Sequence, residues 1–147
     1  AAKHNYFSEA EITLKGSTIT LKGLVDTGNS LYDPLTNTPV IIVEFDKIKG
    51  LFPKELCDVL SSGDDVENAI DVFSKYGITN KFRVIPYSSV GKKDGFILGF
   101  KPDCVKIDSI ETKAIIGISK NEVSTDDTYS ALINPQVFDL QKGMHVQ

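Results

Sequence analysis

Val25-Asp26-Thr27-Gly28-Asn29-Ser30-Leu31 is the stretch from which the rest of this 147-residue chain is best read. Leu24 and Val25 lead into Asp-Thr-Gly, an arrangement that presents a carboxylate at the end of a strand just as the chain turns. Asp, Gly and Asn each suit tight turns, so the triplet alone is also ordinary turn chemistry. The apolar approach through residues 23–25 and Leu31 on the far side set it apart from a solvated surface turn. Residues 23–30 also spell G-x-x-x-x-G-N-S, close to a phosphate-binding loop. Asn29 stands where that loop needs lysine, and Asp26 would set negative charge against the phosphates. Nucleotide binding is rejected here.

A carboxylate presented in this way suits hydrolysis by an activated water. Water attacks a peptide carbonyl only when one group takes its proton while another donates to the carbonyl oxygen. Two carboxyl groups roughly 3 Å apart cannot both ionise, so they share a proton and divide these tasks. Their titration belongs to the pair and not to either residue. Asp-Thr-Gly is the spelling used by aspartic peptidases, and it occurs once in this chain. A single copy supplies half a site, which implies two chains facing each other across one water. Asp26 is then the catalytic residue. Gly28 permits close backbone approach to the facing loop, Thr27 offers a short hydroxyl to hold that loop, and Asn29 is placed to hydrogen-bond the Asp26 carboxylate.

Other chemistries are poorly supplied. The two histidines, His4 and His145, lie at opposite ends of the chain without a partner histidine or cysteine, which leaves no credible zinc site. They are also badly placed to serve a Ser-His or Cys-His nucleophile. Neither a metal nor a cofactor is expected. Cys57 and Cys104 are widely spaced, without C-x-x-C, and read as structural thiols of a reducing compartment. A net charge of −4 and the lack of any Lys/Arg cluster argue against nucleic-acid binding. The only arginine is Arg83, so little arginine is on hand to pair Asp26.

The residues around the motif resemble a specific family. Asp26-Thr27-Gly28-Asn29-Ser30-Leu31, then Asp33-Pro34-Leu35-Thr36 and Pro39-Val40-Ile41-Ile42-Val43-Glu44, is similar to the sporulation sigma-E factor-processing peptidases of spore-forming Firmicutes. The resemblance continues through Ile85-Pro86-Tyr87-Ser88-Ser89-Val90-Gly91, through residues 95–103, and through Ala114-Ile115-Ile116-Gly117-Ile118-Ser119, covering roughly residues 11–134. It implies an aspartic peptidase with the fold and dimer of retroviral proteases, acting on the pro-sequence of a sigma factor. It further implies a signalling activator protein as partner. The expected location is the cytoplasmic face of the cell membrane, with attachment only through an N-terminal block of membrane-spanning helices. No such block is present among these residues: the longest uncharged apolar run, near Val40 to Val43, is far too short to cross a bilayer. No secretory signal opens the chain. The alternative is a retropepsin-like dimerisation or protein-binding module that does not cut.

At this length the chain reads as a single domain, residues 1–147, about half of a two-lobed aspartic protease. The expected fold is mainly β: a retropepsin-like closed barrel half with one or two short inserted helices, forming a two-fold symmetric dimer. Strands are expected over residues 10–14 and 17–25 with a turn at Lys15-Gly16, and again over 40–45, after a loop at 33–39. Residues 53–60 read as a helix with Pro53 in its first turn. A second helix is expected over 64–76, capped by Asp64 in an Asp64-x-x-Glu67 box, with Val66, Ile70 and Phe73 on its apolar stripe and Gly77 as its stop.

Residues 81–87 and 96–100 read as a hairpin whose tip, 88–95, is polar and glycine-punctuated. Between the Asp-Thr-Gly strand and the Ile-Ile-Gly strand, this is the place of the flap that closes over a peptide and excludes water. Tyr87, Ser88, Val90 and Gly91 are its candidate substrate-binding residues. Ala114-Ile115-Ile116-Gly117 is the expected support strand beneath the catalytic loop, with Gly117 allowing close crossing. Residues 121–129 read as loop where retroviral proteases have helix, and 131–135 as a closing strand.

Overall fold

The first two strands, β1 (Tyr6–Leu14) and β2 (Ser17–Val25), pair antiparallel along their whole length, from Tyr6 opposite Val25 to Leu14 opposite Ser17. Lys15 and Gly16 between them both adopt left-handed backbone angles, φ 49° and 82°. That is the two-residue turn whose twist matches the flanking strands. Alternation then decides the faces: Ser8, Ala10, Ile12 and Leu14 are buried while the residues between them are more exposed. The computed structural model describes residues 6–63, 65–87 and 95–143.

The remaining strands are β3 (Val40–Glu44), β4 (Phe82–Tyr87), β5 (Gly95–Phe100), β6 (Cys104–Ile107), β7 (Ile110–Thr112), β8 (Ile115–Ser119) and β9 (Ala131–Ile133). Among the described residues they form one sheet in the order β4-β5-β8-β3-β9-β2-β1-β6-β7. The sheet is mixed, because β3 runs parallel to β8 and β2 parallel to β9. It is also open, which corrects the expected closed barrel. The end strand β4 carries Pro86, whose missing N–H is tolerated only where no further strand must pair. At the other end, the Glu111 carbonyl of β7 accepts from Lys142 N, and the Thr112 hydroxyl donates to the Val137 carbonyl. The 3₁₀ segment Pro135–Leu140 thus lies where a closing strand would dock.

The hairpin of β6 and β7 was not legible in the strand pattern. Its signal is the two-residue turn Asp108-Ser109, with φ 51° and 71°, between short apolar runs. After β3 the chain turns at once into the short helix α1 (Phe45–Ile48), so the strand ends one residue before expected. Helix α2 (Lys54–Ser62), with Pro53 as its N-cap, buries Leu56, Val59 and Leu60. Helix α3 (Val66–Lys75) buries Ala69, Val72 and Phe73, leaving Ile70 exposed. Its cap is Asp65 and not Asp64: the Asp65 carboxylate accepts the Asn68 N–H at 3.0 Å. Asp64 lies outside the described residues. Gly77, at φ 73°, ends the helix as its position predicts. Phe52 packs edge-on to Phe100 at 5.1 Å, and Phe73 against Phe82 at 4.8 Å, seating the helices on the sheet.

Two glycines face each other where β5 meets β8, Gly99 opposite Gly117. A Cβ on Gly99 would sit inside contact distance of the Ile116 carbonyl oxygen and 2.9 Å from Ile85 Cδ1. Backbone cannot step aside within a sheet, so Gly99→Ala is expected to cost about 3 kcal/mol, the upper part of the range for overpacking. Urea unfolding of the variant beside wild type measures it, and an unchanged midpoint would show that β5 and β8 are not this close.

Candidate active site

Asp26 follows directly on the buried end of β2, and its position is set by main-chain bonds. Asp26 N donates to the Ile133 carbonyl at 3.0 Å, and Asn29 N donates to the Asp26 carbonyl at 2.9 Å, closing the turn. Gly28 N donates to Asp26 Oδ1 at 2.9 Å, so the loop holds its own carboxylate. A Cβ on Gly28 would lie 3.2 Å from that same oxygen. Glycine at this place therefore keeps the carboxylate uncrowded. Gly23, where β2 pairs with β9, leaves room for the Ile133 side chain, whose Cδ1 would lie 2.5 Å from a Cβ there.

The strand under this loop is β9. Besides Ile133, its Leu132 carbonyl accepts from Asn29 Nδ2 at 3.3 Å, and Asn134 Nδ2 donates to the Leu31 carbonyl at 3.0 Å. The Ile-Ile-Gly strand β8 instead pairs with β3 and β5, separated from β2 by β3 and β9. The expected support role of residues 114–117 thus passes to Ala131-Leu132-Ile133. Residues 121–129 form loop, as their composition suggests, and a 3₁₀ segment follows β9, capped by Asn134, whose Oδ1 accepts from Gln136 N.

Asn29 departs from expectation as well. It is 7% exposed, and its side chain turns away from the Asp26 carboxylate. Nδ2 donates to the Val40 carbonyl at 3.1 Å and to that of Leu132, while Oδ1 accepts from Leu31 N at 3.1 Å. Asn29 thereby pins the loop to both β3 and β9. Thr27 and Gly28 stand exposed beside half-buried Asp26.

Asp26 opens into a cleft of about 630 Å³. Tyr87 and Phe96, from the two strands of the hairpin that was expected to form the flap, line the same cleft. The Tyr87 ring lies against Gly95, where a Cβ would come within 3.0 Å of it. Ser88, Val90 and Gly91 lie outside the described residues. Leu31, Ile42 and Ile97, packed around the small core of Val40, Ile85 and Ile115, give the cleft an apolar floor. Ile118, Ser119, Asn121 and Val123 form a further wall, and Leu60 of α2 reaches it too. None of these wall residues was singled out by the sequence as part of the site.

The one arginine does not serve Asp26. Arg83 Nε donates to Asp33 Oδ2 at 2.9 Å in a buried pair, joining the base of β4 to the loop that follows the Asp-Thr-Gly turn. Cys57 and Cys104 are free thiols, and burial pushes that of Cys57 up.

Residues 1–137 match the family described as sporulation factor SpoIIGA, a peptidase U4 family. The chain is 36% identical over 138 residues to the sporulation sigma-E factor-processing peptidase of Bacillus subtilis (strain 168), covering 90% of this chain and 45% of that protein. To the protein of the same name in Priestia megaterium it is 35% identical over 134 residues, 88% of this chain and 43% of the relative. It thus spans less than half the length of these curated relatives. A shorter relative in Bacillus thuringiensis subsp. kurstaki is 32% identical, and there the match covers 85% of its length. No solved structure matches the chain. No helix among the described residues is long and apolar enough to cross a membrane. With the family matched along nearly the whole sequence, the chain belongs to the sporulation factor SpoIIGA family of peptidases.

Proposed function

We propose that this chain is the peptidase domain of a sporulation sigma factor-processing enzyme, and that it cuts by the aspartic mechanism. Asp26 is the catalytic carboxylate. The domain works as a two-fold symmetric homodimer with a retropepsin-like arrangement, in which two Asp26 side chains share one proton and activate one water. Tyr87, with Ser88, Val90 and Gly91 beyond it, belongs to the flap that covers the substrate. Thr27 and Gly28 meet the facing loop. The substrate is the pro-sequence of the sigma factor, and a signalling protein activates the cut. In the cell the domain sits on the cytoplasmic face of the membrane, held by helices outside these residues.

The observation that carries this reading is the meeting of Asp26 with Tyr87 and Phe96 in one cleft, in a chain with a single Asp-Thr-Gly. A carboxylate, an apolar floor and a two-stranded hairpin are what an extended peptide needs in order to be held and cut. The exposure of Thr27 and Gly28 at the mouth leaves room for a second copy of the same loop.

Because each chain supplies half a site, specific activity is expected to fall on dilution as dimers dissociate. Confinement of the chains to a surface would oppose this by raising their effective concentration. Mixing wild-type chains with excess Asp26→Asn chains should also lower activity, since mixed dimers carry one carboxylate. Cleavage assays over a dilution series, with sedimentation in parallel, test both. A monomer with full activity when dilute would rule out the shared site.

A further inference from the structure

Besides Asp33, a second buried carboxylate lies outside the proposed chemistry. Glu44, at the end of β3, is 4% exposed, and burying a charge is costly unless hydrogen bonds compensate. Its Oε2 accepts the Val123 N–H at 3.0 Å. Its own N–H donates to the Ser130 carbonyl at 3.0 Å, and Ser130 N donates in turn to the Lys22 carbonyl of β2. In the parallel ladder Glu44 stands beside Ser119. This one residue therefore touches the start, the middle and the end of the loop that leaves β8 and returns at β9.

That loop also carries bonds of its own. Ser119 Oγ donates to the Asn121 carbonyl, and Ser124 Oγ donates to Asp126 Oδ1 at 2.7 Å. Thr128 N donates to Ser124 Oγ and to Asp126 Oδ1. Hydrogen bonds from Thr128 and then Ser124 hold the Asp126 carboxyl down to about 2. Ser124 is buried. The loop is thus a small bonded body with few apolar anchors, and Ser119, Asn121 and Val123 are the part of it that lines the cleft.

We propose that Glu44 is a positioning residue for substrate selection: its carboxylate clamps Val123 and so holds the 118–123 wall at the distance that fits a substrate side chain. The assignment rests on the reading of the cleft as a peptide site. Glu44 does not touch the reacting bond, so it acts on binding and not on the chemical step. A wall allowed to drift gives up its contact with the substrate side chain in ground and transition state alike, without altering Asp26.

The test uses Glu44→Ala and Glu44→Gln, assayed at dimer-saturating concentration on a peptide spanning the pro-sequence junction of a sporulation sigma factor. Glu44→Ala is expected to raise KM about 10-fold with kcat within about 2-fold, the pattern of lost ground-state binding. Glu44→Gln retains an acceptor for Val123 N and should stay near wild type. Hydrogen exchange at the Val123 amide should quicken in the alanine variant and not in the glutamine variant. A Val123 amide still protected in Glu44→Ala would overturn the clamp. To separate this from the underlying reading, peptide binding is measured on Asp26→Asn with and without Glu44→Ala. No binding by Asp26→Asn itself would overturn the peptide site and the assignment with it. Binding that survives the added Glu44→Ala undiminished would overturn the role of Glu44 alone.

Discussion

Asp26→Asn is expected to lower peptide-bond hydrolysis by about 10⁴-fold, the full contribution of a positioned acid–base group, while thermal unfolding stays unchanged. The loop explains why the two effects separate. Asp26 is held through its main-chain bonds to Ile133 and Asn29, neither of which involves the carboxylate. The one side-chain bond, from Gly28 N to Oδ1, survives in asparagine, whose Oδ1 accepts equally well. What asparagine cannot do is take a proton from water or share one with a facing carboxyl group. Single-turnover assays beside a melting curve measure both quantities. Cleavage within a few-fold of wild type would end the aspartic reading and leave family membership untouched. A large loss of stability would mean that Asp26 is structural.

The second large effect is expected at the buried pair. Arg83→Met should destabilise the domain by about 3–5 kcal/mol, because it leaves the Asp33 carboxylate charged and uncompensated in the interior. Asp33 is 1% exposed, and its other bonds come from Leu35 N at 3.2 Å and the Thr36 hydroxyl at 2.8 Å, neither of which brings a charge. Arg83 Nη1 also donates to the Asn80 and Phe82 carbonyls. The substitution therefore loosens the base of β4 and the loop after Asn29 together. Adding Asp33→Asn to Arg83→Met removes the stranded charge and should recover part of the loss. Urea unfolding of the two single variants and the double one measures the coupling. If Arg83→Met alone costs under about 1 kcal/mol, as surface pairs do, then the pair is not sealed from water.

Sequence by itself determined what depends on a few consecutive residues. The turn at Lys15-Gly16 and the end of α3 at Gly77 follow from backbone angles that few residues adopt. Helices α2 and α3 and the strands on either side of residues 88–94 follow from apolar spacing. The Asp-Thr-Gly turn at the end of β2 follows from both. Where a local signal was read one residue off, as with Asp64 for Asp65, the two candidates were chemically identical neighbours.

Tertiary structure alone decided which strand supports the Asp-Thr-Gly loop. Ile115-Ile116-Gly117 and Ala131-Leu132-Ile133 are both short buried apolar runs, and nothing in their pattern states which lies beside β2. Sheet closure was equally invisible, because it turns on Pro86 at one edge and on residues 135–142 along the other. So were the partners of Asn29, Glu44 and Asp33. Asn29 and Glu44 bind main-chain carbonyl and N–H groups of remote segments. Every residue but proline carries the same such groups, so the identities along a chain cannot say which will be met. The Arg83–Asp33 pair does join two identifiable side chains, yet they are 50 residues apart, and only the fold brings them within reach.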